Sequence, residues 1–207
     1  GGPVSAQAGL STWARVYQGE KDVTYGQGIF RMPDGDLVAT VTPVRGSYPA
    51  DLMVQVTRLS PGGDVRWNKI YPTRPVNQST FVTGIPCSPS GVLIYIERTL
   101  MRLDDSGDVV WARNYTIYPP SSAYRSTRFT EAVQLPDGGF AICGVMGPYG
   151  TFVCRVDAQG DPLWTRSYAM YGGYGGPHIH LLGDGGLLLG GRVSAEEGWQ
   201  GVKLMWL

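Results

Sequence analysis

One five-residue pattern, Trp-x-Arg/Lys-x-Tyr, occurs four times in the chain: Trp13-Ala-Arg-Val-Tyr17, Trp67-Asn-Lys-Ile-Tyr71, Trp111-Ala-Arg-Asn-Tyr115 and Trp164-Thr-Arg-Ser-Tyr168. Successive tryptophans are 54, 44 and 53 residues apart. Three of the copies follow an apolar run and a glycine turn: Arg58-Leu-Ser-Pro-Gly-Gly-Asp64, Arg102-Leu-Asp-Asp-Ser-Gly-Asp108 and Arg155-Val-Asp-Ala-Gln-Gly-Asp161. A second turn recurs in mid-repeat: Met32-Pro-Asp-Gly-Asp36, Ser88-Pro-Ser-Gly-Val92, Leu135-Pro-Asp-Gly-Gly139 and Leu182-Gly-Asp-Gly-Gly186. Self-similarity at this period restricts the fold to architectures that stack one supersecondary unit on the next.

Each unit reads as four strands. Strand a precedes the mid-repeat turn, strand b follows it, strand c precedes the Asp-x-x-Gly turn, and strand d carries the Trp motif. Glycine with Asp or Asn supplies the positive φ that tight hairpins need. Trp, Arg/Lys and Tyr at i, i+2 and i+4 share one face of strand d. Four strands in about 40–50 residues, repeated, predict an all-β chain folded as a β-propeller. The expected form is one domain over 1–207 with four blades of four antiparallel strands, near 18–66, 67–110, 111–163 and 164–207 plus strand 10–17. Trp13, Trp67, Trp111 and Trp164 are expected as structural wedges between blades. The segment Ala6–Trp13 aligns with Asp157–Trp164, and Gly201–Leu207 aligns with Thr151–Asp157. The chain therefore begins with the strand that its last unit lacks, and pairing Thr12–Tyr17 beside Val202–Leu207 would close the ring and hide its edges. The rival readings are an excerpt of a longer propeller and a half-ring that dimerises.

The Asp-x-x-Gly-x-x-x-Trp turn and strand resembles the repeats of secreted and periplasmic bacterial β-propellers, including the PQQ-like group. The resemblance runs along the whole chain and implies a fold in which the Trp near the end of each blade docks on its neighbour. It implies no activity: the cofactor- and metal-binding residues of the quinone-dependent enzymes have no counterparts here, and Ser60-Pro-Gly-Gly63 departs from the Asp-containing turn.

Lys+Arg and Asp+Glu number 17 each, so the balance gives no electrostatic footprint for nucleic acid or an anionic membrane. No run of about 20 apolar residues marks a membrane span. Gly1–Leu10 lacks the basic start and apolar core of an intact secretion signal, and the chain is read as a mature or trimmed extracellular, cell-surface or periplasmic form. Three cysteines leave an odd count. If Met146 faces Thr151 across a hairpin, Cys143 lies opposite Cys154 at disulfide distance. Two buried thiols are the alternative.

The a–b and c–d connections are tight turns on one rim, whereas the b–c and d–a connections are longer and rich in aromatics. That second rim is the expected binding face, with Tyr118, Tyr124, Tyr171, Tyr174, Trp199 and Arg125 as candidate contacts to a glycan or a protein. The expected function is a non-catalytic extracytoplasmic module for protein–protein assembly, including self-association in a surface assembly, or for carbohydrate binding. An enzyme acting on polysaccharide through loop carboxylates is the second class. The sequence holds no Gly-x-Ser-x-Gly elbow, HExxH or P-loop, and no cofactor is expected. His178 and His180 share a face of the last inner strand and could meet a metal, with Glu131 as third ligand; packing or channel lining is the plainer role.

Overall fold

The computed structural model describes residues 23–45, 51–72, 82–117, 127–147, 150–168, 176–194 and 200–207. Among them are strands only, arranged as four antiparallel sheets in chain order. The first sheet holds β1 (Val23–Arg31), β2 (Leu37–Arg45), β3 (Asp51–Leu59) and β4 (Val65–Pro72). The second holds β5 (Val82–Pro86), β6 (Val92–Ile96), β7 (Thr99–Leu103) and β8 (Val109–Asn114). The third holds β9 (Thr127–Gln134), β10 (Phe140–Met146), β11 (Gly150–Val156) and β12 (Pro162–Tyr168). The fourth shows three strands, β13 (His178–Leu181), β14 (Leu187–Ser194) and β15 (Gln200–Trp206). Each Trp strand is the last of its sheet, so the sheets divide the chain after these strands, not before them. The expected closing strand, Thr12–Tyr17 with Trp13, lies outside the described residues.

The apolar residues form three clusters, one in each junction between consecutive sheets. Val38, Val54 and Val56 of the first sheet meet Val92 and Ile94 of the second. Leu93, Leu100 and Trp111 meet Phe140, Ile142 and Phe152 of the third. Ala141, Cys143 and Val153 of the third meet Ile179, Leu187 and Leu189 of the fourth. Every residue of β6 is buried, which requires cover on both faces because successive side chains alternate. The second and third sheets thus each have a leading face toward the sheet before and a trailing face toward the one after, and the same two faces can be named on the first and fourth sheets. Among the described residues the packing runs first to second, second to third and third to fourth, with no comparable contact from fourth to first.

The two repeated motifs are the halves of one inter-sheet lock. The Trp67 indole N–H donates to the Asp105 carbonyl (2.8 Å), Lys69 Nζ pairs with Asp108 (2.7 Å), and the Tyr71 hydroxyl donates to the Gly107 carbonyl (2.6 Å). One sheet further on, Trp111 donates to the Ala158 carbonyl (2.9 Å), Arg113 lies 3.7 Å from Asp161, and Tyr115 donates to the Gly160 carbonyl (2.6 Å). Strand d of one sheet therefore grips the c–d turn of the next, which explains why the two motifs travel together. Gly107 and Gly160 take φ of +78° and +81° at these turns, where a side chain would also run into the tryptophan. Trp164, by contrast, is only half-buried, and Arg166 stands over its ring at 5.0 Å.

Cys143 and Cys154 do not form a disulfide; Cys87, Cys143 and Cys154 are all free and buried. Gly150 stays in the ladder opposite Met146, so the connection is one residue shorter than the expected one. That slip pairs Cys143 with Val153 and Ile142 with Cys154. A one-residue change of register sends a side chain to the other face, and Cys143 accordingly joins the third–fourth cluster while Cys154 joins the second–third cluster.

Candidate functional site

The ladders align the four sheets position by position. On the inner strand, Gly28, Thr83, Glu131 and His178 are equivalent, each paired to the matching residue of strand b: Thr40, Tyr95, Cys143 and Gly190. Counting from the mid-repeat turns gives Gly84 and Pro86 as the second-sheet counterparts of His178 and His180. The ladder gives Thr83 and Ile85, because the Cys87–Gly91 turn, with its cis Ser88–Pro89 bond, carries its glycine one place later.

The same alignment exposes an anomaly at each end of the stack. On the trailing face, the strand-c residues Val56, Leu100 and Val153 are fully buried, yet their equivalent Leu204 is 62% exposed. Beside it Val202 is 80% and Trp206 73% exposed. On the leading face, Gly84, Ala132 and Ile179 are buried, and their equivalent Ile29 is 66% exposed. Burying such side chains gains about 1.5–3 kcal/mol each, so a row of them left in water forgoes that gain.

The inner end of that exposed row carries the only histidines of the chain. His178 Nδ1 lies 3.1 Å from Glu131 Oε2, which also accepts the Ile179 backbone N–H at 2.8 Å. His178, His180, Leu188, Gly190 and Leu204 line an open depression of about 270 Å³ with Glu131 at its edge. Its apolar floor and imidazole wall suit an apolar side chain with a polar neighbour. Among the described residues no three His, Cys, Asp or Glu side chains are placed to hold a metal ion. The Glu131 carboxylate is instead engaged in joining the third sheet to the fourth.

Electrostatics elsewhere serve the junctions. Arg58 donates to Asp34 (2.5 Å), Asp36 (2.9 Å) and Asp105 (3.0 Å), tying a turn of the first sheet to one of the second. Burial opposes charge on Asp105, but hydrogen bonds from Arg58, Ser90 and the Gly91 N–H hold its carboxyl below the usual range. Burial pushes the Cys87 thiol up to about 11 and the Cys143 thiol up to about 12, so neither is poised as a nucleophile.

Tyr118, Tyr124, Arg125, Tyr171, Tyr174 and Trp199 lie outside the described residues. Of the connections on their rim, the described b–c link of the second sheet is the two-residue turn Glu97-Arg98, with Glu97 at φ +50°. The end-face residues Val202, Leu204, Trp206 and Ile29 escaped sequence reasoning. The signal for three of them was present: in Gly201-Val-Lys-Leu-Met-Trp-Leu207 both alternating sets are largely apolar, as in the doubly covered β6.

No family model matches the chain, and no curated protein matches it. Among solved structures it is similar to a protein of unknown function from Bacteroides caccae, 15% identical, with 78% of this chain and 56% of that one covered at a TM-score of 0.45. It is also similar to puromycin hydrolase, 12% identical, with 87% of this chain and 27% of that one covered at a TM-score of 0.47. The chain spans about half the length of the first and about a quarter of the second.

Proposed function

We propose that the four sheets are blades of a β-propeller and that the chain is a protein-binding assembly module whose contact surface is the trailing face of the fourth sheet. The observation that carries this reading is Leu204, exposed at the position where its three equivalents are fully buried, with Val202 and Trp206 in the same row. A face built like an interior junction takes an apolar protein surface more readily than a sugar, whose hydroxyls would find few polar partners there. The glycan alternative rests on the aromatic rim and would use different residues. An extracytoplasmic setting belongs to this proposal as well.

Hydroxyl-radical footprinting separates the readings without knowledge of the partner. Trp206 and Leu204 should be oxidised readily in the purified, dilute chain and protected in the cells that make it. Equal oxidation in both settings would remove the fourth-sheet face from consideration.

A further inference from the structure

Leu204 and Ile29 are the two halves of a junction that the chain already builds three times. In each internal junction the strand-c residue of the trailing face shares a cluster with leading-face residues of the next sheet: Val56 with Ile94, Leu100 with Ala132 and Ile142, Val153 with Ile179 and Leu189. Among the described residues, the trailing half at one end of the stack has no leading partner, the leading half at the other end has no trailing one, and the two do not pack on each other.

We infer that a second copy of this chain is the occupant: its first sheet docks head to tail on the fourth sheet, Ile29 facing the Leu188, Gly190 and Leu204 depression. The inference rests on the contact-surface reading above. Continuity with the internal junctions selects the occupant, because the chain itself supplies the leading face that every trailing face here receives. Head-to-tail contacts either close or run on as filaments. With four described sheets per copy, two copies reach eight, within the usual propeller range of four to eight blades, and three copies exceed it. The assembly is therefore a two-copy ring with two identical junctions.

The test uses two single variants of the full chain, Leu204→Glu and Ile29→Glu, both at exposed sites, with far-UV circular dichroism to verify folding. The unaltered protein should have twice the 22.4 kDa chain mass by light scattering. Each variant alone should fall to the single-chain mass, since every junction then contains one glutamate. An equimolar mixture retains one intact junction and should recover the doubled mass. Failure of the mixture to recover would overturn the head-to-tail arrangement, and a filament would overturn the closed ring. A single-chain mass for the unaltered protein, with Trp206 still protected in cells, would leave the contact surface standing and refute the second copy as its occupant.

Discussion

Gly160→Ala probes the lock between sheets at its tightest point. Gly160 has φ of +81°, and an added Cβ would stand 2.8, 2.9 and 3.0 Å from three atoms of the Trp111 ring. Gly138, on another turn of the same sheet, has φ of +83°, but its Cβ would meet only the Ala158 Cβ at an ordinary 3.6 Å. Both substitutions carry the left-handed backbone penalty of about 1–2 kcal/mol. Only Gly160→Ala adds overpacking, about 1–3 kcal/mol, because Trp111 is itself edge-on to Phe140 at 6.2 Å and has little room to yield. Urea titrations followed by circular dichroism should therefore place Gly160→Ala about 1–3 kcal/mol below Gly138→Ala. In a Trp111→Leu background that excess should vanish, a coupling that a double-mutant cycle reads directly. Equal losses for the two alanines would refute the interlocked turn.

Tyr71→Phe and Tyr115→Phe should each lose about 1–3 kcal/mol in the same titrations, since each strands a buried glycine carbonyl; a change within error would show that the hydroxyls are not engaged. Burial raises the pKa of Cys87, Cys143, Cys154 and Tyr71, the last to about 12, so their unfolded forms ionise first. Stability from these groups is complete below the unfolded thiol value of about 8.5 and is lost as pH rises toward the folded values, giving a melting temperature that declines above about pH 9. Reaction of all three thiols with a chromogenic disulfide at neutral pH should require denaturant. Asp105 has the opposite sign: its contribution is present above the unfolded value of about 3.9 and is lost as pH falls through the depressed folded value. Asp105→Asn should flatten that acid limb, and an unchanged limb would place the stabilising proton linkage elsewhere.

Much of the architecture was legible because it is written in repeated local chemistry. The Trp-x-Arg-x-Tyr strands and glycine turns marked four sheets in chain order, since alternation and positive φ act within a few residues, but the expected limits fell ahead of the Trp strands that close the sheets. The cysteine pairing failed because parity across the 147–149 connection depends on whether Gly150 stays in the ladder, which composition does not decide. The Ser88-Pro89 turn displaced the second repeat by one position for a similar reason: a different turn type closes the same five-residue loop. Which sheet faces ended unpartnered was less legible still. Leu204 and Val153 look alike as sequence, yet among the described residues Val153 is packed by the fourth sheet whereas Leu204 has no sheet against it, so one is core and the other surface. The aromatic rim residues carried the functional expectation, whereas the described surface of note is the flat end of the stack.

Cross-linking between engineered cysteines at positions 29 and 204 tests the directional junction most directly. A doubly substituted chain, Ile29→Cys/Leu204→Cys, would be treated with a short bis-maleimide, to which the buried native thiols should be inert. Mixing isotopically light and heavy chains beforehand lets mass spectrometry tell links within a chain from links between chains. The expected product joins position 29 of one chain to position 204 of another, including light–heavy pairs. A link between the same two positions within a single chain would contradict the open stack and show four sheets closing on themselves.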